Sequence, residues 1–117
     1  GLNPHNAELR KNSEEILVIN PAIRKLKLSG VNISDLLVAD TAFIQNYKKF
    51  DVVIGMYHDQ VLAPLKALKG FDAINITLGL PFLRISPDHG PNHQMIGKNK
   101  SNPQSLLQAI KFLDIDK

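Results

Sequence analysis

Two histidines stand where apolar segments of the chain give way to polar residues. His5 ends the opening stretch "GLNPH", and His58 follows the apolar run "DVVIGMY" at 51–57. Two neutral imidazoles at neighbouring strand ends can supply half of the ligands of a divalent metal ion. Spacing alone favours a simpler role for each, a hydrogen bond to a backbone carbonyl at the end of a strand, because no H-E-x-x-H motif is present.

Two carboxylates accompany these histidines. Asp59 follows His58 directly, and Asp40 ends the short apolar run "LLVAD". Asp59 could orient a ligand, accept a hydrogen bond from a substrate ammonium or hydroxyl group, or act as a general base. It could also be the N-cap of a helix, a position that aspartate often takes, and the two roles are compatible.

Three further side chains could bind an anion. Lys66 and Arg84 are cations near predicted strand ends, and Asn75 offers an amide that can donate to a phosphate or a carboxylate. Each of them, taken alone, is more typical of a solvated surface. The net charge of +3 is spread along the chain apart from "GKNKSN" at 97–102, and only 6% of residues are aromatic. This composition favours small anions such as phosphate over nucleic acid.

Well-known nucleotide and nucleophile motifs are absent from the sequence. Neither G-x-G-x-x-G nor G-x-x-x-x-G-K-[ST] occurs, so neither a dinucleotide fingerprint nor a P-loop is supported. Ser86 lacks a G-x-S-x-G context, which argues against a serine hydrolase. The polar stretch "DHGPNHQMIGKNKSNP" at 88–103 could pack over a nucleotide or form a surface loop, and its own residues favour neither.

Composition limits the class of protein. With 117 residues, 44% apolar and 21% charged, we expect one globular domain over residues 1–117. The sequence has no cysteine, so disulfides and a cysteine nucleophile are excluded and metal ligands must be His, Asp or Glu. The apolar runs are shorter than the roughly 18–20 residues of a membrane span, and no signal peptide is visible. We therefore expect a soluble, cytoplasmic protein without membrane or nucleic acid partners.

The spacing of apolar residues predicts alternating helices and strands. Helices are predicted at about 13–28, 41–47, 60–68 and 102–113, and strands at 36–40, 51–57, 73–81 and 82–86. The first helix has a capping-box signal at Asn12 or Ser13 with Glu15, and Pro21 either kinks or restarts it. Pro64 must lie in the first turn of its helix or bend it. Such alternation favours a layered α/β/α fold with a mostly parallel sheet, whose ligands gather beyond the carboxyl ends of the strands.

Taken together, the motifs resemble the 4-hydroxythreonine-4-phosphate dehydrogenases of pyridoxal phosphate (vitamin B6) biosynthesis. The stretches "GLNPH", "ADTAF", "MYHDQ", "NITLGLPFLRIS" and "DHG" stand in that family's order with similar separations. The resemblance covers essentially all of this chain but only the C-terminal part of the family's chain. It implies that these residues are part of a larger dehydrogenase.

The resemblance implies a role for each candidate residue. His5 and His58 match two of the family's three metal-binding histidines, and the third belongs to sequence outside this chain. The metal would be a divalent ion such as zinc, cobalt or magnesium, which histidine ligands do not distinguish. Asp59 and Lys66 are the predicted catalytic residues. The predicted substrate-binding residues are Lys66, Asn75, Arg84, Asp40 and Asp59.

The resemblance also implies a nicotinamide cofactor. The family is similar in fold to isocitrate and isopropylmalate dehydrogenases, which bind NAD or NADP without a G-x-G-x-x-G fingerprint. The residues that match the cofactor loop of those enzymes include His89, Gly90 and Asn102. Pro91 and Asn92 replace the small residues usual after "DHG", and "NPHNAELRKNSEE" lacks the glycines usual after "NPH". The choice between NAD and NADP stays open.

The implied activity is NAD(P)-dependent oxidation of 4-phosphohydroxy-L-threonine followed by decarboxylation to 3-amino-2-oxopropyl phosphate, in a homodimer whose site lies at the subunit interface. A related family member would instead oxidise another phosphorylated hydroxy acid, such as threonate or erythronate phosphate. A third interpretation is that the 117-residue chain alone is an inactive folding and dimerisation module. It follows from the resemblance, because one metal ligand and part of the substrate site would lie elsewhere.

Overall fold

The structure is a computed structural model that describes residues 1–44 and 47–114. The chain divides into two compact units, Gly1–Pro64 and Leu65–Lys117. The division falls at a proline inside helix α2 (His58–Lys69), which begins two residues earlier than predicted, so that Pro64 lies beyond its first turn. The single domain expected from composition stays a prediction.

The first unit opens with a left-handed turn. Pro4–Leu9 is a 3₁₀ turn in which residues 5–9 all have φ between +47° and +55°. None of these residues is glycine, and a left-handed helical conformation costs roughly 1–2 kcal/mol for each residue that carries a side chain. The amide of Asn6 donates to the carbonyl of Asn3 at 3.0 Å, which closes the first turn.

The first predicted helix is confirmed, with a change of geometry at its proline. A π-helical turn, Glu15–Ile19, runs directly into α1 (Asn20–Leu28), and Pro21 lies in the first turn of α1. Proline has no amide hydrogen to donate to the preceding turn, and the change from π-helical to α-helical geometry falls next to it. The predicted capping box is wrong, since the Glu15 side chain bonds to residues that precede the helix by more than ten positions.

The strands predicted at 36–40 and 51–57 are not formed. A strand exists only where a neighbouring segment pairs with its amides and carbonyls, and neither segment has such a neighbour among the described residues. The helix predicted at 41–47 is a turn at 41–44 followed by a 3₁₀ turn, Tyr47–Lys49. Residues 45 and 46 of that prediction lie outside the described residues.

The second unit is built on a two-stranded sheet. Strand β1 (Ile74–Thr77) pairs antiparallel with β2 (Arg84–Pro87). The connection at 78–83 is far shorter than the dozen or so residues of a parallel crossover, so the chain can only return antiparallel. The β segments predicted from 73 to 86 are therefore confirmed in shorter form. The mostly parallel sheet is wrong for the part of the chain that the structure describes.

Helix α3 (Gln104–Asp114) is attached to this sheet through one buried hydroxyl. Ser105 is almost fully buried. Its Oγ donates to the carbonyl of Ala73 at 2.6 Å and accepts from the amide of Asp88 at 2.9 Å. Because Ala73 precedes β1 and Asp88 follows β2, a single side chain joins the helix to both strands.

The described chain is thus an α/β structure, rich in helix and with a small antiparallel sheet. The layered α/β/α arrangement and the likeness to isocitrate and isopropylmalate dehydrogenases stay predictions. Across residues 1–44 and 47–114, none of the helices has the length and apolar character needed to cross a membrane.

Candidate functional site

His5 lies in the left-handed turn and pairs with Asp40. Its Nε2 is 3.1 Å from Asp40 Oδ2, and the two side chains are 63% and 58% exposed. A carboxylate can only accept, so Nε2 carries the shared proton and Nδ1 keeps a free lone pair. The partners are 35 residues apart in sequence, so the pair joins the motifs "NPH" and "ADT".

His58 begins α2 and pairs with its neighbour in sequence, Asp59. The distance from His58 Nδ1 to Asp59 Oδ1 is 2.7 Å, and both side chains are open to solvent. Here Nδ1 donates, and Nε2 is the nitrogen that is free to bind a ligand. Asp59 lies within the first turn of α2 rather than before it, so the N-cap alternative for this residue is wrong.

The start of α2 is fixed by two features that the sequence did not predict. The Gln60 side chain accepts from the amide of Met56 at 2.8 Å and donates to the carbonyl of Gly1 at 3.0 Å. A Cβ on Gly55 would come within 2.7 Å of a Val61 methyl, so this tight turn requires glycine. The motif "GMYHDQ" is therefore tied directly to the opening segment that leads to "NPH".

Both histidines fit metal ligands in their chemistry. Each has a carboxylate on one ring nitrogen and a free lone pair on the other, an arrangement typical of metal-binding histidines. Among residues 1–44 and 47–114, no three His, Cys, Asp or Glu side chains come together as a metal-binding cluster. His5 and His58 would therefore provide two donors, and a zinc-type site needs at least three protein ligands.

A fully buried carboxylate lies beside the segment that leads to His5. Oε1 of Glu15 accepts from the amides of Leu2 at 2.8 Å and Asn3 at 2.6 Å, and Oε2 accepts from the Asn3 side chain at 3.0 Å. These bonds, led by that from the Asn3 amide, lower the pKa of Glu15 to about 2. The capping-box pattern was the only signal at this residue, and it pointed to a different partner.

In the second unit, Lys66 pairs with Asp88. Lys66 Nζ is 3.0 Å from Asp88 Oδ2, and the side chains are 37% and 14% exposed. The angles of this ion pair are not those of a hydrogen bond, and the buried oxygen has no hydrogen-bond donor within the described residues. Asp88 opens the motif "DHG", yet the sequence did not identify it as a partner of the predicted phosphate-binding lysine.

Asn75 and Arg84 share one face of the two-stranded sheet. Arg84 stands opposite Thr77, and its Nη1 donates to Thr77 Oγ1 at 2.8 Å. Asn75 is two residues from Thr77 and therefore points to the same side of the strand. Both predicted substrate-binding side chains are exposed. The structure thus places these two residues on the same side of the sheet, and their role in binding an anion stays a prediction.

The predicted cofactor residues are on the surface of the second unit. His89 Nδ1 donates to the carbonyl of Gly90 at 3.1 Å, and both residues are exposed. Asn102 Oδ1 accepts from the amide of Gln104 at 2.9 Å, so the predicted helix cap at this residue is confirmed. Their contacts to a nicotinamide cofactor stay a prediction.

The candidate residues thus fall into two sets, one in each compact unit. The first set is His5, Asp40, His58 and Asp59, and the second is Lys66, Asn75, Arg84, His89, Gly90 and Asn102. The structure shows the local partners of most of them. Their catalytic, substrate-binding, metal-binding and cofactor-binding roles stay predictions.

The comparisons with known proteins agree on one family. A protein-family model described as pyridoxal phosphate biosynthetic protein PdxA matches residues 1–113. The chain is 48% identical over 113 residues to a 4-hydroxythreonine-4-phosphate dehydrogenase of Sulfurihydrogenibium sp. (strain YO3AOP1), covering 96% of this chain and 35% of that protein. It is 38% identical over 114 residues to a D-threonate 4-phosphate dehydrogenase of Pectobacterium atrosepticum, with 96% and 35% covered.

A solved structure is also similar. It is described as a candidate 4-hydroxythreonine-4-phosphate dehydrogenase from Salmonella typhimurium, and it superposes with a TM-score of 0.76 at 39% identity, covering 96% of this chain and 35% of that one. The chain therefore spans about a third of the length of the relatives it matches. Where in the relatives this third lies stays a prediction.

Proposed function

Because the chain belongs to the family of the pyridoxal phosphate biosynthetic protein PdxA, we propose that this protein takes part in the NAD(P)-dependent oxidation of 4-phosphohydroxy-L-threonine. The product after decarboxylation is 3-amino-2-oxopropyl phosphate. The observation that carries the proposal is the arrangement of the two histidines. Each has one nitrogen on a carboxylate and one free nitrogen, as a metal-assisted dehydrogenase requires of its ligands.

Oxidation removes a hydride from the carbon that bears the hydroxyl group and a proton from its oxygen. A nicotinamide cofactor held by His89, Gly90 and Asn102 would supply the hydride acceptor, and Asp59 would accept the proton directly or through water. The carbon–carbon bond to the carboxylate of the resulting β-keto acid then breaks, carbon dioxide leaves, and the remaining carbon takes up a proton. His5, His58 and a further ligand would hold a divalent metal, which would supply Lewis acidity to this chemistry.

The second unit binds the phosphate in this proposal. Asn75 and Arg84 present an amide and a guanidinium on one exposed face of the sheet, and Lys66 adds an ammonium. A guanidinium matches two phosphate oxygens at once, which fixes the orientation of the substrate as well as its position. His89, Gly90 and Asn102 would contact the nicotinamide cofactor. We further propose a cytoplasmic homodimer with an isocitrate dehydrogenase-like fold.

The test is turnover of 4-phosphohydroxy-L-threonine, followed as formation of the reduced nicotinamide by protein expressed from its complete reading frame. His5→Ala and His58→Ala are expected to lower kcat/KM by about 100-fold or more, because loss of a direct ligand costs at least as much as loss of its supporting shell. Lys25→Ala, at an exposed residue of α1 outside both candidate sets, is the control. Wild-type turnover in both ligand variants would overturn the proposal.

The 117-residue chain by itself is expected to be inactive, because its described residues offer only two of the metal donors. The same turnover assay, applied to the 117-residue chain, tests whether it is inactive. Measurable reduction of NAD⁺ or NADP⁺ would show that the donors present are sufficient, and the interpretation as an inert folding and dimerisation module would then be wrong.

A second candidate substrate is D-threonate 4-phosphate, favoured by the 38% identity to the Pectobacterium atrosepticum enzyme. The two substrates differ in the group next to the carboxylate, which is an ammonium in one and a hydroxyl in the other. A carboxylate such as Asp59 attracts the ammonium more strongly, because charge-assisted hydrogen bonds are roughly twice as strong as neutral ones. The ratio of kcat/KM for the two substrates separates the candidates.

A further inference from the structure

We infer that Glu15 is a positioning residue for His5: its buried carboxylate holds the segment that leads into the left-handed turn and thereby sets where the His5 imidazole lies. The inference rests on the proposed function only in treating His5 as a metal ligand. The capping-box pattern assigned Glu15 a different partner, and none of its hydrogen bonds within the described residues goes to a histidine.

The first argument is the set of bonds that the carboxylate makes. Two backbone amides, of Leu2 and Asn3, and the Asn3 side chain all donate to Glu15, at distances from 2.6 to 3.0 Å. Bonds to an ionised acceptor are about twice as strong as neutral ones. The segment before His5 is therefore held at two consecutive residues and from both backbone and side chain.

The second argument is the stiffness of the link from Asn3 to His5. Only Pro4 lies between them, and its ring fixes φ near −65°. One of the backbone torsions between Asn3 and His5 is therefore fixed, which limits how much of a displacement of Asn3 the link can absorb. Glu15 is thus linked to His5 through Asn3 and the ring of Pro4, although the two side chains are not hydrogen-bonded to each other.

The third argument is the strain of the turn itself. Residues 5–9 all have positive φ without a glycine among them. Such a conformation persists only when the surrounding structure imposes it, and strained backbone is common at functional sites. Glu15 supplies a fixed entry to the turn, and the His5–Asp40 pair marks the place to which the imidazole is delivered.

Glu14 provides a matched control within the same segment. Its carboxylate also binds Asn3, through one exposed bond of 2.7 Å to the side-chain amide. Glu15→Gln keeps the shape of the buried side chain but removes the charge and places a donor where an acceptor stood. Glu14→Gln makes the same chemical change on the surface, where water replaces the lost bond.

The experiment is a double-mutant cycle read by NMR in the 117-residue chain. Asp40→Asn should move the ring signals of His5 in the wild-type background, because the pair in the structure is direct. At the same pH, this displacement should be lost in Glu15→Gln and retained in Glu14→Gln. An equal displacement in all three backgrounds would overturn the inference, because His5 would then reach Asp40 without Glu15.

A second variant covers the case in which Glu15→Gln does not fold. Asn3→Ala removes one of the three donors and leaves both backbone amides in place, so the displacement should shrink without vanishing. If Glu15→Gln is unfolded, the result for Asn3→Ala alone tests the inference. An undiminished displacement in Asn3→Ala would then overturn the inference.

A metal titration separates this inference from the proposed function. In protein from the complete reading frame, Glu15→Gln should weaken Co²⁺ affinity by about 10-fold or more, as supporting residues of metal ligands do, and Glu14→Gln should not change it. If the wild type binds no Co²⁺ through His5, the proposed function fails, while the NMR cycle still decides whether Glu15 positions the imidazole.

Discussion

The left-handed turn offers a sharp test of the structure, because glycine should stabilise it where glycine normally destabilises a helix. Ala7 lies in the middle of the turn with φ of +50°. Replacing it by glycine relieves roughly 1–2 kcal/mol of steric cost. The greater freedom of glycine in the unfolded chain returns about 0.4–1 kcal/mol of that gain. The balance predicts that Ala7→Gly raises the free energy of unfolding by about 0.8 kcal/mol.

Ala22 is the matched control, because it is exposed in α1, a right-handed helix. Ala22→Gly should lower the free energy of unfolding by about 1 kcal/mol, the usual cost of glycine in a helix interior. Urea unfolding followed by circular dichroism measures both. The same change from alanine to glycine should therefore raise the free energy of unfolding at residue 7 and lower it at residue 22. If Ala7→Gly destabilises as much as Ala22→Gly, residue 7 is not left-handed and the described geometry of the turn is refuted.

Two further predictions concern buried groups. Ser105→Ala should lower the free energy of unfolding by about 2–6 kcal/mol, because a carbonyl and an amide are left without their partner at about 1–3 kcal/mol for each group. The exposed Ser101→Ala should leave the urea midpoint unchanged, and equal midpoints for both variants would contradict the bridge. Folding lowers the pKa of Glu15 from 4.5 to about 2, so its stabilising contribution is complete above pH 4.5 and is lost as the pH falls towards 2. When thermal unfolding is measured across that pH range, the Tm of Glu15→Gln should fall less steeply with decreasing pH than the Tm of the wild type. Parallel plots of Tm against pH would rule out the stabilising contribution of the Glu15 carboxylate.

Helices were the part of this fold that the sequence predicted well. The segments at 13–28 and 102–113 carry their own helical pattern, the second also has its cap at Asn102, and a helix satisfies its hydrogen bonds within the segment. The strands at 36–40 and 51–57 failed because an apolar run shows only that a segment avoids water. Whether it pairs depends on a neighbour from elsewhere in the chain.

The hairpin shows that some of this missing information was available. The β segments predicted at 73–81 and 82–86 adjoin each other, which leaves no room for a crossover and already implies an antiparallel return. Alternation of strands and helices over the whole chain favoured a parallel sheet and outweighed this local signal. The length of the connection should have decided between parallel and antiparallel pairing of these two strands, since it limits topology more strictly than the overall order of elements.

The site residues also divide into those that local sequence predicts and those whose role depends on distant parts of the chain. His5 and His58 were found because their motifs are local, whereas Glu15 and Asp88 acquire their meaning only from partners 12 to 22 residues away. A glutamate at a helix start predicts a cap on grounds of frequency. Only the folded chain shows that this carboxylate is fully buried and bound to the segment before His5.

The histidine–carboxylate pairs also bear on the predicted substrate contacts of Asp40 and Asp59. Each pair uses one carboxylate oxygen, Oδ2 in Asp40 and Oδ1 in Asp59, so the second oxygen of each remains available to a substrate group. A carboxylate offers about four acceptor positions, and holding an imidazole uses one of them. Orientation of the histidine and contact with the substrate are therefore compatible in the same side chain. Where these aspartates contact the substrate as predicted, the position of each imidazole and that of the substrate depend on the same carboxylate, and a change at either aspartate should disturb both.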